Sequence, residues 1–91
     1  MARTLTLPEN LDTAVASFLL ADLLAARGDA LILDAVRCRN IGAICAQIII
    51  SAYHAWQADG HAFVLQGHAG IANDLTLLGL SDFVDALETQ R

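Results

Sequence analysis

Ninety-one residues make one small domain, and 56% hydrophobic against 16% charged residues excludes intrinsic disorder, which needs the opposite balance. A chain this short buries only about 60–65% of its unfolded surface, so the apolar surplus points to a partner that covers part of it. Net charge is −5 and lysine is absent, which argues against nucleic acid and anionic lipid as partners unless the arginines cluster in space.

No apolar run approaches the roughly 20 residues that span a bilayer, so no membrane insertion is expected. The opening MARTLTLPEN has no long apolar core after its arginine, so no secretory signal is read and a cytoplasmic protein is expected. There the two cysteines are reduced rather than bridged. Neither repeat, linker nor low-complexity tract interrupts the chain, and residues 1–91 are taken as one domain.

In chain order, Thr4 to Leu7 alternates polar and apolar and predicts a short strand closed by Pro-Glu-Asn. Thr13 to Arg27 is amphipathic, with Leu11, Val15, Phe18, Leu19 and Leu23 as its core-facing set. Asp12 is its candidate N-cap, and Gly28 its stop, with Arg27 in the last turn. Ala30 to Leu33 is continuously apolar, as in a strand buried on both faces, and Val36 to Asn40 is polar and irregular. The helical period returns from Ile41 to about Ala58 and ends at the turn signal Asp59-Gly60.

Ala62 to Leu65 predicts a further buried strand, Gly67 to Gly70 a loop, and Ile71 to Leu78 a short helix stopped by Gly79. Ser81 is the candidate N-cap of a last helix over Asp82 to Glu88, acidic in its first turn as the macrodipole favours. The order β-α-β-α-β-α-α predicts an α/β fold: a small, mostly parallel or mixed sheet with crossover helices. Its first strand is a short edge with which another chain could pair.

On a helical wheel, Ile41, Ile44, Cys45, Ile48, Ala52, Ala55 and Trp56 form the expected core face of the second helix. Asn40, Ala43, Gln47, Ser51, His54 and Ala58 form a small or polar face. Ile50 points away from the core, flanked by Ala46, Tyr53 and Gln57, a patch for a partner helix or for the chain's own C-terminal helix to cover.

The chemically richest stretch is DAVRCRNIGAICAQ, Asp34 to Gln47. Cys45 reads as a buried small hydrophobe. Cys38 lies between Arg37 and Arg39, whose charges lower a thiol pKa, but no general base is near in sequence. Cysteines seven apart do not fit a zinc knuckle. His54, His61 and His68 recur every seven residues on a helix, a strand start and a loop, with no common geometry, so no metal site is read. Arg37, Arg39 and Asn40 precede a helix N-terminus that favours an anion, unless the arginines pair with Asp34 or Asp59. The loop lacks the Gly-rich run and Lys of a phosphate-binding motif. No catalytic triad, paired acid signature or dinucleotide fingerprint occurs, so no enzyme and no cofactor are expected.

The succession LPENLDTAVASFLLADLL, GDALILDAVRCRNIGAICAQ, WQADGHAFVLQG and LTLLGLSDFVDAL resembles the STAS domain, the fold of bacterial anti-sigma factor antagonists, over nearly the whole chain. The family's central motif runs Asp, an apolar position four residues on, then Asp-Ser-Ser-Gly or Asp-Thr-x-Gly at a helix start. Asp34 and Cys38 match the first two positions, and Gly42-Ala43-Ile44-Cys45 stands at the third. The family's Ser or Thr there is phosphorylated by a partner kinase, which separates the two proteins; Ala43 has no hydroxyl. Indeed no Ser or Thr occurs between Asp34 and Ile50, and Ser51 is about 12 Å further along the helix at 1.5 Å per residue.

The resemblance implies a non-enzymatic signalling regulator docking on a histidine-kinase-type ATPase, either an anti-sigma or a chemotaxis kinase. The chain starts at what corresponds to the family's second strand, so the first edge strand is expected to be missing. The expected contact surface is Arg37, Arg39, Asn40, Gly42, Ala43, Gln47, Ile50, Ser51 and His54. Three alternatives stand beside it. One is the STAS subunit of a lipid-transport ABC complex, although such subunits keep a Thr at the Ala43 position. The others are a nucleotide- or small-anion-binding module at the arginine loop and, more remotely, an enzyme acting through Cys38. A homodimer is left open.

Overall fold

The computed structural model describes residues 2–80 and residue 83. The chain runs β1 (Arg3–Thr6), β2 (Asn10–Leu11), a 3-10 turn (Thr13–Val15), α1 (Ala16–Ala26), β3 (Leu31–Asp34), β4 (Asn40–Ile41), α2 (Ala43–Asp59), β5 (Phe63–Gln66), a second 3-10 turn (His68–Gly70) and α3 (Ala72–Leu77). β1, β3 and β5 form a parallel sheet in that order, with Leu5, Leu33 and Leu65 in register. Parallel β-α-β crossovers take one hand, so two steps in the same direction put both helices on one face of the sheet. There α1 and α2 lie against each other.

This arrangement corrects the expectation of strands buried on both faces. Leu31, Leu33, Phe63 and Leu65 are buried beneath the helices, whereas Ile32 and Val64, on the opposite face, are only half-buried. Apolar residues on both sides of the pleat read as a doubly covered strand, but a three-strand sheet wound one way carries its crossover helices on a single face.

Asp12 caps the first helical segment, its Oδ1 accepting from the Ala14 N–H at 3.0 Å. Leu19, Leu23 and Ala26 face the core and Val15 is half-buried. Phe18, expected in that set, is 70% exposed. It stands about 100° from the centre of the Leu19–Leu23–Ala26 stripe, beside β1 rather than over the sheet. Arg27 is the C-cap rather than part of the last turn, and the chain leaves through Gly28 at φ 105°.

The core face of α2 also differs from expectation. Cys45, Ala46, Ile49, Ala52, Tyr53 and Trp56 are buried, while Ile44 is 51% exposed and Ile48 and Ala55 are half-buried on the side of α1. The face is rotated by about 75° from the wheel, at 100° per residue. Ala46 and Tyr53 thus belong to the core, and Ile50 is half-buried. Because apolar residues of α2 spread well beyond one face, periodicity alone leaves its orientation loose, and its rings settle it. Phe63 meets Tyr53 edge-on at 5.8 Å and Trp56 at 5.7 Å. The Trp56 indole N–H donates to the Asp29 carbonyl at 2.8 Å. Gly60, at φ 77°, ends the helix where the turn signal predicts.

α3 stops at Leu77, two residues before Gly79 at φ 81°. The predicted last helix over Asp82 to Glu88, with its Ser81 cap, lies outside the described residues except for Phe83. That residue is helical, and its ring meets Tyr53 at 5.4 Å. Of the two covers considered for the Tyr53 patch, the chain's own C-terminal region therefore supplies at least one ring.

Candidate functional site

The chemically rich stretch begins at the C-terminal end of β3. Ala35 is fully buried and its N–H donates to the Gln66 carbonyl at 2.8 Å, keeping the chain beside β5. Asp34 Oδ1 accepts from the Val36 N–H at 3.1 Å, and the Cys38 N–H donates to the Ala35 carbonyl at 2.9 Å, folding residues 34–38 into a turn. Where the sequence suggested an irregular loop leading straight into a helix, the chain makes β4 instead. This stub pairs in parallel with β2, Asn10 opposite Asn40 and Leu11 opposite Ile41. The Arg39 N–H donates to the Glu9 carbonyl at 2.8 Å, the Gly42 N–H to the Leu11 carbonyl at 2.9 Å, and Asn40 Nδ2 to Asn10 Oδ1 at 2.6 Å.

A second loop lies directly on the first. A Cβ on Gly70 would sit 2.5 Å from the Cys38 carbonyl oxygen, and one on Gly67, at φ +69°, 2.9 Å from the Val36 backbone. The two glycines therefore let the 67–70 segment press against residues 36–38, which fixes the shape of the loop from behind.

Neither thiol is presented to solvent. Cys38 and Cys45 are 1% and 0% exposed, their Sγ atoms 3.5 Å from the Asn40 carbonyl and 3.4 Å from the Asp12 carbonyl. Burial pushes both thiols up, and the Asp74 carboxylate adds to the effect at Cys38. The lowering expected from Arg37 and Arg39 does not occur, because Cys38 points inward and both arginines are on the surface. The argument for a reactive Cys38 thiolate therefore falls, whereas Cys45 is buried as predicted.

The N-terminus of α2 is equally altered as an anion site. Gly42 is its N-cap and supplies no side-chain acceptor. Instead Asp74, carried by α3, accepts from the Ile41 N–H at 3.2 Å. A cleft of about 530 Å³ here is lined by Asp12 and Asp74 together with Asn10, Asn40, Thr13 and Gly42. Asp74 bonds the N–H just ahead of the helix and Asp12, which caps the first helical segment, lines the same cleft, so a phosphate entering it would meet like charge. The expected arginine pairs do not form either. Asp59 holds Arg27 through two bonds of 2.9 and 3.3 Å, which lowers the Asp59 pKa and raises that of Arg27, and Asp34 is used within its own turn.

Arg37, Arg39, Asn40, Gly42 and Ala43 are all exposed around the start of α2. Gln47, Ser51 and His54 continue this stripe as exposed residues, and Ile50 belongs to it as a half-buried one. Gln47 and Ser51 border a shallow groove of about 300 Å³ between α1 and α2, lined also by Leu20, Leu24 and Ile48. His61 is exposed before β5 and His68 is half-buried in the second loop; among the described residues no three His, Cys, Asp or Glu side chains converge on one point. No established family profile and no curated protein matches this sequence.

Sequence reasoning missed two contributors to this end of the molecule. Val36, 65% exposed beside Arg37, and Ile44, 51% exposed in the first turn of α2, add apolar area to a surface otherwise read as polar. Val36 carried no decisive local signal, since Cys38, also followed by Arg in the same loop, is buried. Ile44 carried none, because the wheel assigned it to the interior.

Proposed function

We propose that this protein is a non-enzymatic, STAS-like signalling regulator that docks on a histidine-kinase-type ATPase through residues 36–43 and the outward stripe of α2. The observation that carries this reading is the exposure of Arg37, Arg39, Asn40, Gly42 and Ala43 on a loop braced from behind by Gly67 and Gly70. Exposed Val36 and Ile44 give that end the mix of apolar and Arg contacts typical of protein interfaces. Ala43 stands in the first turn of α2 without a hydroxyl, and Ser51 lies about 12 Å further along the axis. A phosphate therefore cannot act on the protein at the helix start, and control passes to partner concentration or to a modification of the partner.

The two carboxylates at the start of α2 weigh against the nucleotide and small-anion alternative. Calorimetric titration against purified anti-sigma and chemotaxis kinases tests the reading. The wild-type chain is expected to bind one of them and, incubated with it and ATP, to gain no phosphate on residues 34–51. The double variant Arg37→Glu, Gln47→Arg is expected to bind at least about tenfold more weakly. Equal affinity of wild type and variant would move the interface elsewhere, and stoichiometric phosphate on residues 34–51 would end the reading.

A further inference from the structure

The open edge of β1 supports an inference independent of the docking end of α2. The N–H groups of Arg3 and Leu7 donate to the carbonyls of Ala30 and Asp34, each at 2.8 Å, so the odd-numbered residues of β1 face β3. Thr4 and Thr6 consequently turn their N–H and C=O groups outward, where no strand pairs with them among the described residues. Sheet edges are ordinarily guarded by charge, proline or a bulge. From Thr4 to Leu7 there is neither charge nor proline, and the Arg3 side chain turns back onto α1, donating to the Ala25 carbonyl at 2.6 Å. Beside this edge lies an apolar cleft of about 240 Å³ between β1 and α1, lined in part by Leu5, Val15, Phe18 and Leu19. Phe18, at 70% exposure, is the most exposed large apolar residue of α1.

We propose that β1 pairs antiparallel with β1 of a second copy of this chain, about a two-fold axis through Leu5. In this register Thr4 lies opposite Thr6 of the second copy, and each such pair exchanges both backbone bonds, about four across the axis. The threonines meet side by side on the open face of the sheet, a favourable cross-strand pair. On the helix-covered face, Leu5 meets its own counterpart, and the two Phe18 rings flank them. The arrangement is self-complementary and closed, joins two three-stranded sheets into one of six, and covers both β1 edges. A four-residue strand buries less than the roughly 1,600 Å² of a standard interface, so the dimer is weak and concentration-dependent.

Sedimentation equilibrium of the purified chain from micromolar to millimolar concentration provides the test. The weight-average mass is expected to rise from that of one chain towards that of two. Thr4→Pro removes an N–H offered to the second copy while leaving every β1–β3 bond, and Phe18→Glu charges the cleft from an exposed site. Each is expected to weaken association about tenfold or more with an unchanged circular dichroism spectrum. If Thr4→Pro disturbs folding, Phe18→Glu alone decides. A single-chain mass throughout would leave the edge to some other strand and overturn the proposal. So would association that Phe18→Glu does not weaken, or growth beyond two chains.

Discussion

The two sides of α2 both carry large apolar residues and are opposite in role. On the inner side Cys45, Ile49 and Trp56 are buried against the sheet, and Tyr53 and Trp56 make T-shaped ring contacts with Phe63. On the outer side Ile44 is half in solvent, and Ile48 lines a groove shared with α1 that Gln47 and Ser51 border. The difference lies in what each side meets. A residue aligned with the buried row of the sheet gains full burial, whereas the same residue type a quarter-turn away finds only the flank of a neighbouring helix. Apolar area on α2 is thus divided between stability and recognition, and hydrophobicity alone does not say which residue serves which.

The sharpest way to break this comparison is to truncate one residue on the inner side. Trp56 is 2% exposed and its indole bonds Asp29, so Trp56→Ala is expected to cost about 3–5 kcal/mol in urea unfolding, a large share of the stability of so small a domain. A loss under about 1 kcal/mol would mean that the inner side does not build the core.

A subtler effect comes from the thiols at the start of the same side. Burial holds folded Cys38 and Cys45 above the ordinary value of 9.0. Below that pH both folded and unfolded chains carry the protons, and the thiols' contribution is fully present. As pH rises past 9.0 the unfolded chain loses protons first, so stability falls until the folded thiols titrate too. Urea midpoints measured through this range are expected to decline, and Cys38→Ala is expected to flatten the decline even though it lowers the midpoint overall. An alkaline slope identical in wild type and variant would show that Cys38 is not held in an apolar site. The smallest effect belongs to the outer side. Ile44→Gln is expected to shift stability by no more than about 0.5 kcal/mol while weakening binding to the docking partner, and a loss comparable to that of Trp56→Ala would place Ile44 inside after all.

Much of the framework was legible because its signals are local. Continuous apolar runs marked β3 and β5, Asp12 announced a cap, and Gly28, Gly60 and Gly79 marked where helices stop. The inward Cys45 followed from its place on the wheel. The β2–β4 stub was not legible, since two residues per strand show no period and the pairing joins positions thirty apart. Nor was the cover at the start of α2, where Asp74 reaches Ile41 across 33 residues of sequence. Gly67 and Gly70 read as ordinary loop punctuation, and their close approach to Val36 and Cys38 exists only once two loops stack. The outward side of Phe18 was hidden for a related reason, because a stripe of leucines says which side of α1 is apolar but not how wide the sheet beneath it is.

By itself, the sequence determined that this protein is a small α/β domain with parallel strands joined by helices, and that no hydroxyl stands between Asp34 and Ile50. Both follow from composition and short-range pattern, which need no partner in space. Only the tertiary structure decided that both helices share one face of the sheet, that α2 turns Tyr53 inward and Ile44 outward, and that carboxylates occupy the helix start an anion would seek. Those are outcomes of competition among distant segments for the same buried positions, and the energies that settle it arise only when the segments meet.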